Sequence, residues 1–238
     1  MKAWDLLGQT RTPDSHDMRL ARRDDEYVIS VDGKTLMSSR MHGSEEALAS
    51  VGCRYARTTN QPRVLVGGLG MGFTLRATLD VLPPDATVTV AELVPAVVEW
   101  NRGPLGPLAG NPLKDRRVRI DVRDVGFTVR ANPGQFDVIL LDVDNGPAPF
   151  TAPANRGLYD NAGIAAAYAA LRIGGALAVW SAWDDAKFEQ RLRFHGFVVE
   201  VERVRARLRK GGPRHTIFLG LKQAHHPADR PRRGSRSS

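Results

Sequence analysis

From Arg63 onward the apolar positions gather into short runs separated by stretches of helical periodicity. RVLVGG, TVTVAEL, RVRIDVRD, FDVILLDVD and ALAVWSA have the length and residue content of strands. LRATLDVL reads as a helix that Pro83-Pro84 stops. Pro95 opens another helix and Gly103 closes it, the usual asymmetry of proline inside the start and glycine past the end. A helix from about Asn161 to Arg172 is expected to end at Gly174-Gly175, and one capped by Asp184 or Asp185 at Gly196. FVVEVERVRAR and RHTIFLGLK follow as two strands. The KGGP between them is too short for a crossover helix, so these two are expected to be antiparallel.

Ahead of this region, EYVISVDGKTLMSS predicts a hairpin, because Asp32-Gly33 can take the positive φ angles of a two-residue turn. Ser44 is the expected N-cap of a helix reaching about Tyr55, with Glu45 and Glu46 in its first turn. Strand-helix alternation predicts an α/β chain: a Rossmann-like, doubly wound, mostly parallel seven-stranded sheet with an antiparallel last strand, preceded by a small β-hairpin. The expected division is an N-terminal segment of hairpin and helix over residues 1–58, a nucleoside-binding domain over 59–223 and a disordered basic tail over 224–238.

In such sheets ligands bind beyond the carboxyl ends of the strands, at the point where strand order reverses. That rule collects Gly68, Gly70 and Gly72 after the first strand, Glu92 after the second, and Asp124 with Val125 after the third. Asp142 and Asp144 follow the fourth, and Ser181 and Trp183 lie beyond the fifth. The glycines permit a tight turn and close backbone approach to a ligand, with a helix N-terminus behind them. Phe73 stands where the third glycine of a dinucleotide fingerprint would fall, which argues against a dinucleotide enzyme. Glu92 is placed to accept ribose hydroxyls, and Asp124 to meet an adenine amino group.

Apolar residues make up 42% of the 238, enough to bury a core without staples. The lone cysteine, Cys53, excludes an internal disulfide, points to a reducing, cytoplasmic setting and reads as a core residue. No apolar leader region and no run of eighteen apolar residues is present, so neither classical secretion nor membrane insertion is expected. Six histidines show no ligand spacing, and no metal is expected; His42 could overhang the pocket or be a loop residue. Trp180 and Trp183 could wall an acceptor site, or belong to core and surface. The net charge of +8 raises nucleic acid as a partner. Part of the excess sits in HHPADRPRRGSRSS, whose Pro, Gly, Ser and Arg content reads as a solvated tail, and no basic-aromatic interleaving supports base stacking. Nucleic acid is therefore not the expected partner.

RVLVGGLGMGFTLRA, VTVAELVPAVVEWNR, RVRIDVRDV, FDVILLDVDNGP and LYDNAGIAAAYAALRIGGALAVW together resemble the spermidine synthase (polyamine aminopropyltransferase) family, a branch of the class I S-adenosylmethionine-dependent methyltransferase fold. The resemblance runs from about Glu26 to Lys222. It implies decarboxylated S-adenosylmethionine or S-adenosylmethionine as co-substrate, a small amine as acceptor, and admits a homodimer. It matches Glu92 to the ribose-binding acid, Asp124 to the adenine-facing acid, and Asp142 to the start of the family's Asp-Ser-x-Asp-Pro acceptor loop. The sequence also departs from the family. Met71 replaces the acid that holds the donor's amine, and Ser44-Glu45-Glu46 stands in place of Tyr-His-Glu. Asp142 and Asp144 are two apart rather than three, and Val66 occupies the position of the methyltransferase acid.

Alkyl transfer from a sulfonium is an in-line displacement, in which the protein positions the nucleophile and keeps its lone pair free. Removing the proton of an alkylammonium of pKa about 10 at pH 7 costs roughly 4 kcal/mol. Asp142 is the expected group to hold the amine and take that proton; Asp144 either steers a second cation or caps the turn at Asn145-Gly146-Pro147. Three functions are consistent with these residues. They are transfer of an aminopropyl or analogous alkyl group to an amine, methyl transfer to a small molecule, and non-catalytic binding of a nucleoside or nucleic acid. Deleting residues 225–238 is expected to lower retention on a cation exchanger while leaving the melting temperature unchanged, because this stretch has no core-forming pattern.

Overall fold

The computed structural model describes residues 2–143, 147, 156–207 and 212–224. Residues 144–146, among them Asp144, with 148–155, 208–211 and 225–238, lie outside the described residues.

The chain opens with an antiparallel meander of four strands, β1 (Asp5–Arg11), β2 (Asp17–Arg23), β3 (Glu26–Val31) and β4 (Lys34–Ser38), paired in that order. The expected hairpin is its second half, and Asp32 and Gly33 take φ of 48° and 76°, the positive values such a turn requires. β1 and β2 go beyond the sequence expectation. DLLGQTR and DMRLARR carry few β-branched residues, and a polar side-chain contact joins them. Gln9 of β1 donates to Asp17 of β2 at 2.7 Å, and Arg19, further along β2, pairs with the same carboxylate. Gly8 lets β1 lie against the Trp100 indole, where a Cβ would come within 2.3 Å of Nε1.

Helix α1 (Gly43–Gly52) follows. Its N-cap is His42, not Ser44, and no side chain caps it. Ser44 is buried inside the first turn, 2.9 Å by its hydroxyl from Nδ1 of His215, so its oxygen engages another element instead of the helix end.

The second sheet has seven strands: β5 (Arg63–Gly67), β6 (Thr87–Ala91), β7 (Val118–Asp121), β8 (Phe136–Leu141), β9 (Leu171–Ser181), β10 (Phe197–Arg205) and β11 (Arg214–Lys222). Their order is β10-β11-β9-β8-β5-β6-β7. β5 to β9 are parallel to one another, and β11 is antiparallel to both β9 and β10, as expected. The helices are α2 (Phe73–Val81), α3 (Pro95–Arg102), α4 (Val125–Ala131), α5 (Arg156–Tyr159), α6 (Asn161–Ala170) and α7 (Ala186–Phe194). Among the described residues no helix is long and apolar enough to cross a membrane.

Two boundaries differ from expectation. α6 ends at Ala170, and Gly174-Gly175 lies inside β9, where the register against β8 shifts. The glycine pair thus bends a strand, with Gly174 at φ 82°, and does not end the helix. Asp185 caps α7 by accepting from the Phe188 N–H at 2.9 Å, whereas Asp184 pairs with Arg203 and accepts from Thr216.

Strand alternation divides the core between the two faces of this sheet. Val64, Val66 and Leu140 pack under α1, α2 and α3, while Leu65, Ile139 and Leu141 pack under α4, α6 and α7. At Gly52 the last turn of α1 meets the sheet closely. A Cβ there would lie 2.2 Å from Leu140 Cδ2 and 2.9 Å from Ala178 Cβ. Gly52→Ala is expected to destabilise the protein by about 1–3 kcal/mol, since overpacking outweighs the roughly 1 kcal/mol gain in helix propensity. Urea unfolding measures it; an increase in stability would show that α1 can lift from the sheet at no cost.

Candidate functional site

Strand order reverses between β5 and β8, whose carboxyl ends lead in opposite directions across the sheet. A cavity of about 170 Å³ opens there, and Gly68, Gly70, Glu92, Asp124, Val125 and Asp142 all line it. Gly72, expected with them, is not among the lining residues; its open side faces Asn101 and Pro112. Trp180 and Trp183 are also absent from the described lining. The opposite wall comes from the meander, including Met18, Val31, Met37 and His16. Val31 and Met37 belong to the expected hairpin, whereas the part supplied by β2 and the loop before it, Met18 and His16, was missed with β1 and β2.

Gly68 shows why the turn must be glycine. Its φ is 86°, and a Cβ would come within 2.5 Å of the Asp142 carbonyl oxygen. Glu92 holds the same turn from the other side. Its Oε2 accepts from the Leu69 N–H at 2.9 Å and its Oε1 from the Val94 N–H at 2.8 Å. Burial pushes its pKa up, against the pull of the backbone N–H groups of Leu69, Val94, Leu93 and Gly70. Asp124 caps α4, accepting from the Phe127 N–H at 3.0 Å, with its side chain partly open to solvent.

Asp142 is the first residue beyond β8, anchored by its N–H to the Gly67 carbonyl at 2.9 Å. Its Oδ2 accepts a hydrogen bond from the Thr74 hydroxyl. Burial raises its pKa from 3.8 to about 6, with Thr74 opposing. Thr74 lies in the first turn of α2 just past the glycines, a position that no motif marks. Close by is Glu45 of α1, whose Oε2 is buried without a hydrogen-bond partner. Burial, then the charges of Asp142 and Glu46, hold its carboxyl well above the usual range. His42 bonds Glu46 at 2.7 Å and stacks on Phe73 with ring centroids 4.1 Å apart, which joins the starts of α1 and α2. Met71 and Val66 are both core residues.

No protein-family model matches the chain, and no curated protein matches it. Solved structures do. A spermidine synthase in complex with the transition-state analogue AdoDATO superposes with a TM-score of 0.70 at 20% identity, over 92% of this chain and 72% of that one. The spermidine synthase of Thermotoga maritima gives 0.71 at 21%, over 92% and 73%. A probable spermidine synthase from Corynebacterium glutamicum ATCC 13032 gives 0.62 at 18%, over 94% and 82%. The chain has the spermidine synthase fold. Within that fold it joins the glycine turn, Glu92, Asp124 and Asp142 in one cavity, and it has an apolar side chain at residue 71.

The raised pKa of Asp142 has a consequence for stability. Its carboxyl holds a proton more tightly in the folded chain than in the unfolded one. The folded state is therefore favoured at low pH, and that advantage is lost as pH rises from about 4 to about 6. Asp142→Asn removes the loss. The variant is expected to melt several degrees above the wild type at pH 7.5, on a scale of at most about 3 kcal/mol, with the difference vanishing near pH 4. A pH-independent difference in thermal melts would refute the raised pKa.

Proposed function

We propose that this protein is a transferase. It binds decarboxylated S-adenosylmethionine or S-adenosylmethionine and moves an aminopropyl, or analogous alkyl, group to a small amine. The observation that carries the reading is Asp142: a carboxylate on the cavity wall, oriented by Thr74, in the same cavity as the glycine turn and Glu92. The fold shared with spermidine synthases supports it.

In this reading the backbone of Gly68 and Gly70 approaches the nucleoside, and Glu92 sets the shape of that turn and receives the ribose. Asp124 meets the adenine edge. Asp142 accepts a hydrogen bond from the acceptor amine and takes its proton as the nitrogen attacks the carbon bound to sulfur. The carbon–sulfur bond breaks with its electron pair going to sulfur, and the sulfonium leaves as a neutral thioether. A carboxylate with a pKa near 6 is a stronger base than an ordinary aspartate and is still ionised at neutral pH, which suits this work. The donor's tail is left open, because Met71 and Val66 offer it no charge.

The protein is expected to bind 5′-methylthioadenosine in calorimetry, and Glu92→Ala to weaken that binding by about 1–3 kcal/mol. Asp142→Asn should keep nucleoside affinity and lose about 10²–10⁴-fold in turnover, measured by product analysis with both donors. Unchanged affinity in the first variant would sink the ribose assignment. Near-normal kcat in the second would sink the amine mechanism.

A further inference from the structure

Three carboxylates meet where α1 abuts the end of β8, and they are not equivalent. Glu46 is bonded to His42, and Asp142 to Thr74. Glu45 has one oxygen, Oε2, covered and without a partner. A glutamate at the third position of a helix commonly reaches back to the N-cap backbone, but no side chain caps α1, and Glu45 instead lies within reach of the charge of Asp142. An ionised carboxylate oxygen buried without a donor carries a penalty of several kcal/mol, so Glu45 retains its proton unless a cation supplies what is missing.

The surroundings specify that cation. The groups acting on Glu45 are Asp142 at the end of β8 and Glu46 on its own helix, both acids. α2 contributes the Thr74 hydroxyl, which is committed to Asp142, and the Phe73 ring, which is stacked by His42. Among the histidines nearby, His42 is engaged by Glu46, and His215 of β11 by the Ser44 hydroxyl. Among the described residues no lysine or arginine acts on Glu45. A primary ammonium, with three donors on one small centre, can satisfy the free oxygen of Glu45 and the second oxygen of Asp142 together. Met71 offers no competing acid on the glycine turn.

We infer that Glu45 is a specificity-determining residue that is neutral in the free protein, receives a cationic amino group of the acceptor beside Asp142, and releases its proton to solvent as that group arrives. The inference rests on the proposed amine acceptor. The step balances simply: a carboxylic acid and a free ammonium become a carboxylate–ammonium pair and one solvent proton.

The test is calorimetry of 1,4-diaminobutane binding to protein saturated with 5′-methylthioadenosine at pH 7.5, in phosphate and in Tris, whose ionisation enthalpies differ. The wild type is expected to release protons as the amine binds. Glu45→Gln, a neutral isostere, should fold with an unchanged or higher melting temperature, release no proton and bind about 10–100-fold more weakly, the loss of one charge-assisted hydrogen bond. Binding without proton release overturns the inference. So does equal release by Glu45→Gln, which would mean that the amine itself loses the proton. Nucleoside-loaded protein that binds no amine overturns it as well. If 5′-methylthioadenosine fails to bind while the amine still releases a proton through Glu45, the donor reading falls and this inference stands.

Discussion

A carboxylate buried at the end of β6 and tied to the turn after β5 sets the geometry on which the rest of the cavity depends. Glu92 takes the N–H groups of Leu69 and Val94 on its two oxygens. In doing so it joins the glycine turn to the loop that starts α3. Backbone N–H groups at a glycine turn have no intrinsic reason to point in one direction, and a buried acceptor supplies one. The cost of burying the charge is offset by several donors around it, and its raised pKa shows that the offset is incomplete. With this turn held, Gly68 can lie against the Asp142 carbonyl, and the two strand ends at the switch point become a single surface.

The chemistry is then divided between a rigid half and an added half. The parallel strands fix Glu92, Asp124 and Asp142 by their registers, the meander brings Met37 to the opposite wall of the cavity, and α1 places Glu45 behind Asp142. Gly52 sets how closely α1 seats on β8 and β9, and the His42–Phe73 stack fixes its start against α2. A residue on α1 is therefore positioned nearly as well as one on a strand end. An acid can be missing from the glycine turn at Met71 and present on α1 at Glu45 with no change in architecture.

Where buried strands met helices of ordinary amphipathic pattern, the sequence was readable. β5 to β8 and the closing antiparallel pair follow from apolar runs punctuated by Pro and Gly, and the switch-point rule gathered five of the cavity's glycine and acid positions with Val125. The failures have physical causes. β1 and β2 are held by Asp17 contacts and by a glycine against Trp100, neither of which is a local propensity. Ser44 looked like a cap because short hydroxyl residues usually serve helix ends, but a partner 171 residues away claimed its oxygen. Gly174-Gly175 reads as a helix stop and is a bend in β9. Thr74 has no signature, since a first-turn threonine is unremarkable until the fold brings Asp142 to it.

The meander also shapes how the protein should respond to occupancy. It is built from neighbouring hairpins with short sequence separation, so it can assemble early, yet one of its faces is completed by the cavity. Met37 rests on Gly70, and His16 is held by Asp32 on the far wall. A molecule filling the space between the two sheets would bind the docked arrangement and not the undocked one, coupling docking of the N-terminal strands to occupancy. By mass action, ligand at a hundred times its Kd adds about 2.7 kcal/mol to that docked state, enough to change how readily a protease reaches the first forty residues.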